Sequence, residues 1–386
     1  MKSECTNCFD YLKWRGDLTF DVSPLNCIDV LIFSQLGYLN FDGLLTDSFR
    51  FQETLYTLNQ KFISSANYDE RKNMGVLINR DIPLLFDIVS KSNRFALVKV
   101  CGYVSVLDFE NEIQFSATTF CYAPKKYITI FRGTDDSIVG FKEDFKLAYL
   151  DVIPSQTLAL NYFKQAEKEL KGDFIIAGHS KGANQAMFVA VNVDKKTQNK
   201  ISAVYNLDGP GFSEEFYQRE SFKNIQDKLY SFYPYFSVVG MIFNHPVNYQ
   251  IVKSSENAIM QHDPISWQLI GTSFVTEEDF SKESKFFYVS INEWTKNLSL
   301  SDKQKFVTTL FEIIESSGAK FNSDIDENKL ESYTKMVVSF AKLDSSTRSQ
   351  IFKFISNLVD IARANLPMIN IFKNVHTKSN LLEEVN

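Results

Sequence analysis

The chain has 386 residues, of which 44% are hydrophobic and 23% are charged, and its formal net charge is −6. This composition is typical of a globular protein that folds as one large domain or two smaller ones. A net negative charge gives no general support to binding a phosphate backbone, so we predict no nucleic-acid partner. The sequence shows neither a signal peptide nor a stretch of about 20 apolar residues. We therefore predict a cytoplasmic protein without a transmembrane segment.

The five cysteines are an odd number, which agrees with a reducing compartment. Cys5 and Cys8 have the C-x-x-C spacing, but a second pair and a neighbouring histidine are missing. The spacing therefore does not favour a metal or redox centre, and we expect no cofactor and no metal.

The first 97 residues predict helices. Ser23 and Pro24 open an apolar pattern that Gly37 ends, and Asp81 precedes a second pattern that has Pro in its first turn. Residues 45–70 are mixed and polar, and we predict that they are helical as well.

Strand and helix patterns alternate from residue 98 onward. The predicted strands are 98–107, 113–121, 127–131, 174–177, 201–207, 229–233 and 249–252, and a helix is predicted over 156–171. Strands that alternate with helices predict an α/β fold with a mostly parallel central sheet.

The tail of the chain predicts a helical extension. The stretches 276–279 and 299–302 look like helix starts, and Ile351, Phe354 and Leu358 share one apolar face of a helix that Pro367 ends. There is no clear linker near residue 273. We therefore expect residues 1–272 to form the α/β domain, with an N-terminal helical segment, and residues 273–386 to pack on it.

Residues 173–193 carry the strongest functional signal. A short apolar run leads into Gly178-His179-Ser180-Lys181-Gly182, which fits G-x-S-x-G, and helical spacing follows. Strand, tight turn and helix are the context of a nucleophile elbow, in which Ser180 stands clear of the sheet at a helix N-terminus. Ser180 is the predicted nucleophile.

A serine nucleophile needs a base, and the chain offers four histidines. His179 lies inside the elbow and is expected to pack beside the strand, His245 lies in a turn, and His376 lies in the polar tail. His262 follows the last predicted strand, which agrees with the order serine, acid, histidine of α/β-hydrolases. We predict that His262 is the base and that no strand follows it.

The acid and the oxyanion hole follow from the ends of the strands. Asp208 ends the strand at 201–207, at the carboxyl edge where ligands bind in α/β sheets, and Asp263 is the alternative acid. The backbone N–H of Lys181 and a donor from the Gly133-Thr134 loop are expected to form the oxyanion hole, with the Thr134 hydroxyl as a third donor. Residues 137–155 are apolar and are either a lid over the site or an ordinary core helix.

Taken together, these motifs resemble the lipase class 3 pattern and, more closely, the bacterial lipase-like α/β-hydrolase family DUF2974, also called Mbeg1-like. The motifs are residues 11–16 (YLKWRG), 131–136 (FRGTDD), 178–182 (GHSKG), 208–212 (DGPGF), 262–264 (HDP) and Trp267. The resemblance covers roughly residues 6–270 and implies an α/β-hydrolase fold with a serine nucleophile. In class 3 lipases the catalytic Asp follows the next strand, where this chain has Ser237. Either Asp208 supplies the acid, or the site is a Ser–His dyad.

The leading hypothesis is a serine hydrolase that cleaves a carboxylic ester, of a small molecule or a lipid-like acyl substrate, through an acyl-enzyme on Ser180. The same machinery also fits an amidase, a peptidase or a thioesterase. A third hypothesis is a weak or inactive hydrolase fold that serves as a binding or scaffold protein.

Overall fold

The structure is a computed structural model that describes residues 6–51, 53–246 and 248–362. The helices are α1 (Cys8–Arg15), α2 (Cys27–Leu36), α3 (Leu55–Ser64), α4 (Tyr68–Arg71), α5 (Ile82–Lys91), α6 (Ile138–Lys146), α7 (Pro154–Glu169), α8 (Lys181–Asn192), α9 (Lys195–Gln198), α10 (Glu214–Gln218), α11 (Glu220–Lys223), α12 (Lys282–Lys296), α13 (Leu300–Glu315), α14 (Asn322–Glu327), α15 (Lys329–Ala341) and α16 (Ser345–Ala362). The strands are β1 (Glu53–Thr54), β2 (Lys99–Asp108), β3 (Ile113–Ala123), β4 (Lys126–Phe131), β5 (Asp173–His179), β6 (Ile201–Leu207), β7 (Leu229–Pro234), β8 (Gln250–Val252), β9 (Leu269–Ile270), β10 (Ser273–Phe274) and β11 (Thr276–Glu277).

One large sheet has the order β1-β2-β3-β4-β5-β6-β7-β8-β11 in the described part of the chain. The strands from β4 to β8 pair in parallel, while β1 to β4 and the β8–β11 edge pair antiparallel. The parallel strands are continuous apolar runs because helices cover both faces of the sheet. The predicted α/β fold with a mostly parallel centre is confirmed.

Each face of the sheet has its own hydrophobic core. The N-terminal helices α2 and α5 cover one face, where Phe33 and Phe86 are fully buried. Helices α7 and α8 cover the other face, where Phe163 and Met187 are fully buried. Because α8 runs from the end of β5 across this second face, the two cores hold the β5–α8 turn between them.

The N-terminal motif at residues 11–16 serves this packing. The Tyr11 hydroxyl donates to the Asp29 carboxylate over 2.9 Å, and Arg94 forms a buried ion pair with the same carboxylate at 2.5 Å. Arg94 also donates to the carbonyl oxygens of Ser23 and Pro24, 3.0 and 3.2 Å away. The cluster ties α1, α2 and the segment after α5 together, so it has a structural role.

Two N-terminal predictions are wrong in their bounds. Helix α2 begins at Cys27, because the Asn26 side chain accepts the N–H groups of Ile28 and Asp29 and so caps the helix. The polar stretch 45–70 is helical only in α3 and α4, and Glu53 begins strand β1, which pairs with β2.

The helix start predicted at residues 276–279 is also wrong. Thr276 and Glu277 form β11, which pairs antiparallel with β8, and so a strand does follow His262. The helix begins at Lys282, because the Ser281 hydroxyl caps it by accepting the N–H of Ser284. The start predicted at Ser299 is confirmed, because Ser299 caps α13 in the same way.

Helices α12–α16 and the residues that flank them contact the sheet domain through hydrogen bonds and apolar side chains. The Ser281 N–H donates to the Tyr235 carbonyl after β7, and the Asn322 N–H donates to the Asp136 carbonyl after β4, each over 2.9 Å. The Phe145 ring of α6 packs 5.4 Å from the Phe311 ring of α13. From these contacts we propose that the extension packs on the α/β domain as one folded body.

A chain ending at residue 272 is expected to express poorly or to melt at a lower temperature than the full chain. The truncation removes β11 from the edge of the sheet, and the loss of the helical extension uncovers apolar side chains on α6. Each buried side chain that becomes exposed costs about 1.5–3 kcal/mol. Thermal unfolding followed by circular dichroism measures the difference. A chain ending at residue 362 keeps all described contacts and is the matched control. An unchanged melting temperature at 272 would show that the extension folds as a separate domain.

Candidate active site

Ser180 lies at the sharp turn between β5 and α8, with φ 58° and ψ −131°. A non-glycine residue in this region carries backbone strain of the kind found at functional sites. The turn depends on its two glycines: a Cβ on Gly178 would lie 2.2 Å from the Gly182 carbonyl carbon, and one on Gly182 would lie 2.0 Å from the Phe131 oxygen. A strand, a sharp turn and a helix therefore follow one another at Ser180, in the order that the sequence predicted.

Asp208 and His262 meet at the same edge of the sheet. Asp208 follows β6, the parallel neighbour of β5, and its carboxylate is fully buried. Its Oδ2 lies 2.6 Å from Nδ1 of His262, whose side chain is 26% exposed. Carboxylate and imidazole therefore form a hydrogen-bonded pair that leaves Nε2 on the far side of the ring.

The second carboxylate oxygen of Asp208 accepts a hydrogen bond from Ser237, the residue aligned with the catalytic Asp of class 3 lipases. The Ser237 hydroxyl donates to Asp208 Oδ1 over 2.6 Å, while the Gly240 N–H donates to the Ser237 oxygen over 3.1 Å. Ser237, which follows β7, is thus a hydrogen-bond partner of Asp208, which follows the preceding strand β6.

His179 packs beside the strand, as predicted, and anchors the loop of His262. Its Nε2 donates to the His262 carbonyl over 2.8 Å, so its Nδ1 accepts the Tyr38 hydroxyl proton over 2.9 Å. Burial, with His262 nearby, lowers the pKa of His179 well below the ordinary value. A neutral His179 therefore holds the His262 backbone in place, and its ring lies 4.4 Å from the His262 ring.

Asp263, the alternative acid, holds its own loop. Its Oδ2 accepts the Asn79 side-chain amide over 2.5 Å, and its Oδ1 accepts the Ile265 N–H over 3.0 Å. Burial raises the pKa of Asp263. One carboxylate oxygen of Asp263 is thus engaged by Asn79 of the N-terminal segment and the other by its own loop, whereas the Asp208 carboxylate bonds the His262 ring.

The Gly133-Thr134 loop lies against the turn at Ser180. A Cβ on Gly133 would be 3.1 Å from the Ser180 Cβ. The Thr134 hydroxyl, predicted as a third oxyanion donor, donates a hydrogen bond to Asp144 Oδ2 over 2.5 Å. Burial raises the pKa of Asp144 to about 6, and at neutral pH its carboxylate accepts this hydrogen bond. Of the two donors that Thr134 has, its backbone N–H is therefore the one left for an oxyanion.

The Lys181 side chain turns away from Ser180 into a buried ion pair. Its Nζ lies 3.1 Å from the Glu143 carboxylate and donates to the Gln114 carbonyl over 3.2 Å. The Gln114 side chain in turn donates to the Gly133 carbonyl over 3.4 Å. The cluster connects the first residue of α8 with α6 and with the loop that carries Thr134.

The 137–155 segment contains α6, and its apolar side chains face the helical extension. Phe145 packs against Phe311 and Phe354, and Lys142 forms an ion pair with Glu315 at 2.8 Å. This packing is that of an ordinary core helix rather than a free lid.

The other candidate residues lie elsewhere. The His245 ring packs among Tyr233, Tyr249 and Tyr288, with ring centroids 5.8, 5.2 and 5.5 Å away. Cys5, Pro367 and His376 lie outside the described residues. Within residues 6–362, apart from the two omitted positions, there is no helix long and apolar enough to cross a membrane.

The comparison with protein families decides the relationship. The model of the Mbeg1-like family matches residues 89–312, which is 224 of 386 residues, or 58% of the chain. The chain belongs to the Mbeg1-like family. The family resemblance inferred from the motifs is thereby confirmed, with different bounds: the match begins at residue 89, which leaves out the motif at residues 11–16, and extends beyond β11 through most of α13. No curated protein sequence matches this Mbeg1-like chain.

Several solved lipases are similar to this Mbeg1-like protein at low identity. M37 lipase is 15% identical over 56% of this chain and 69% of its own, with a TM-score of 0.37. Lip2 lipase from Yarrowia lipolytica is 16% identical over 46% and 72%, with a TM-score of 0.32. The native Rhizomucor miehei lipase propeptide complex is 14% identical over 64% and 83%, with a TM-score of 0.30. The α/β-hydrolase assignment depends on the sheet order and the family match.

Among the residues near the site that no sequence motif predicted are Tyr38, Asp144 and Ser284. Tyr38, just after α2, contacts His179, and Asp144 of α6 contacts Thr134. Ser284 contacts Ser237 from α12. Only the apolar pattern around Asp144 hinted that its segment lies close to the site. Tyr38 and Ser284 carry no local signal, because their contacts span 141 and 47 residues of sequence.

Proposed function

We propose that this Mbeg1-like protein is a serine hydrolase that cleaves carboxylic esters, with Ser180 as nucleophile, His262 as base and Asp208 as acid. The observation that carries the proposal is the 2.6 Å contact between Asp208 and His262 at the sheet edge where strained Ser180 follows β5. A buried carboxylate on one imidazole nitrogen leaves the other nitrogen to take a proton from a serine.

In this mechanism Ser180 Oγ attacks the ester carbonyl carbon while His262 Nε2 takes its proton. The backbone N–H groups of Lys181 and Thr134 stabilise the oxyanion. His262 then gives the proton to the leaving alkoxide, which departs as the alcohol and leaves the acyl group on Ser180. Water, activated by the same imidazole, attacks the acyl-enzyme and releases the carboxylic acid. Asp208 keeps Nδ1 protonated throughout and stabilises the imidazolium.

Two observations support this proposal over a non-catalytic one. The argument for lost activity is that position 237 has no carboxylate. Asp208 supplies a carboxylate in its place, because its two oxygens bond Ser237 and His262. The elbow also keeps its strained backbone and both close-packed glycines, which a scaffold protein has no need to retain.

A panel of ester, thioester and amide substrates separates the esterase from the thioesterase and amidase alternatives. A cytoplasmic location and a lipid-like acyl group stay predictions.

Ser180 is expected to be the residue that a fluorophosphonate probe labels. Its attack on phosphorus needs the same activation as attack on an ester. Mass spectrometry of the digested protein should place the adduct on the peptide that contains Ser180. Ser180→Ala is expected to remove labelling, while Ser202→Ala, on β6, leaves it unchanged. Well-folded protein that carries no adduct, or carries it on another residue, would contradict the proposed function.

A further inference from the structure

A chain of buried polar groups runs from Asp208 to the first turn of α12 in the helical extension. The Ser237 hydroxyl donates to Asp208 Oδ1 over 2.6 Å, and the Ser237 N–H donates to the Ser284 hydroxyl oxygen over 2.9 Å. The Ser284 hydroxyl lies 3.0 Å from that of Ser281, the cap of α12. All four side chains are buried, with at most 2% exposed. The extension therefore reaches the carboxylate of the proposed triad through one intervening residue.

The donor and acceptor of each hydrogen bond show how these buried groups hold the Asp208 carboxylate. The Gly240 N–H donates to the Ser237 oxygen, so the single hydroxyl proton of Ser237 points to Asp208. Ser284 accepts the Ser237 N–H and so holds the Ser237 backbone at the distance that this bond requires. A buried acceptor that loses its donor pays a desolvation cost and moves to find another. Without Ser237, the Asp208 carboxylate can turn away from His262.

Few other groups hold this carboxylate. Among the described residues, the only ion-pair partner of Asp208 is His262 itself. The backbone of Asp208 itself is strained, with φ 49°, a conformation that persists only where the surrounding structure holds it. A fully buried carboxylate of this kind depends on the hydrogen bond from Ser237 for its orientation.

We propose that Ser237 and Ser284 are positioning residues for Asp208, and that the helical extension thereby takes part in catalysis as well as in stability. This inference rests on the proposed function. Ser237 fixes Oδ1 so that Oδ2 stays on His262 Nδ1, and Ser284 fixes Ser237. Neither residue contacts the substrate in this arrangement.

The test is the rate of ester hydrolysis and of fluorophosphonate labelling by serine variants of the full chain. Ser237→Ala is expected to lower kcat by roughly 10- to 100-fold, the scale of a hydrogen bond to a charged group. Ser284→Ala acts through Ser237 and is expected to lower kcat by about 3- to 10-fold, the scale of a neutral hydrogen bond. KM should change less than kcat, because the substrate contacts remain. Ser284→Thr retains the hydroxyl and should restore the rate.

Two controls separate positioning from general destabilisation. Ser299→Ala removes the cap of α13 in the same extension, at an exposed site away from Asp208, and should lower the melting temperature without changing kcat. In an Asp208→Asn background, Ser284→Ala should cause no further loss of kcat, because effects of residues that act through one another are not additive.

The outcomes distinguish the inference from the function on which it rests. Active protein whose kcat is unchanged by Ser237→Ala and Ser284→Ala would overturn the inference and leave the proposed function standing. Equal losses from Ser284→Ala with and without Asp208 would also overturn it, because the effect would then be structural. A wild-type chain that neither labels nor hydrolyses esters would overturn the proposed function itself.

Discussion

His262→Ala is expected to lower kcat for ester hydrolysis by about 10⁶, the scale seen when the base of a serine triad is removed. No described group replaces it: the neighbouring His179 has both ring nitrogens engaged, by Tyr38 and by the His262 carbonyl. Burial also lowers the pKa of His179, so it is a poor proton acceptor. Initial rates measure the loss, and fluorophosphonate labelling should fall with them.

The matched control is His245→Ala. The His245 ring packs among aromatic side chains, so its loss should lower the melting temperature and leave kcat almost unchanged. Circular dichroism should show that both variants keep the fold. Normal labelling of the His262 variant would exclude His262 as the base.

Asp208→Asn is expected to lower kcat by roughly 10³- to 10⁴-fold, because it imposes the wrong tautomer on the imidazole. The Ser237 hydroxyl must donate, so it selects the amide oxygen of the new side chain at the Oδ1 position. The amide NH₂ then faces His262 Nδ1, which must accept. The proton of the ring moves to Nε2, where it blocks the transfer from Ser180.

Asp263→Asn is the control for this prediction. The Asp263 carboxylate accepts hydrogen bonds from Asn79 and Ile265, so its loss is expected to lower kcat less than about 10-fold, through the position of the loop. Comparison of kcat and melting temperature in both variants checks the assignment. A larger loss of kcat in the Asp263 variant than in the Asp208 variant would reverse the roles of the two carboxylates.

Most of the sheet could be predicted because its signals are local. The strand predicted over 201–207 has the bounds of β6, and the apolar run before Gly178 lies in β5. A buried parallel strand needs a continuous apolar run, and a sharp turn needs glycines where backbones approach, so both features are written in short windows. The mistaken helix start at 276–279 has the opposite cause. Its acidic residues fit a helix cap, but β8 offers a partner strand that local pattern cannot reveal.

The sequence by itself determined the strand, sharp turn and helix around Ser180 and the order Ser180, Asp208, His262 along the chain, because these depend on neighbouring residues and on strand order. Tertiary structure decided which carboxylate meets the imidazole. Asp263 is next to His262 in sequence, yet Asn79, 184 residues away, bonds its carboxylate, while Asp208 reaches His262 from a neighbouring strand. Tertiary structure also placed Ser284 of the helical extension behind Ser237. Hydrogen-bond partners of buried groups are set by packing between distant segments, and no local pattern encodes that packing.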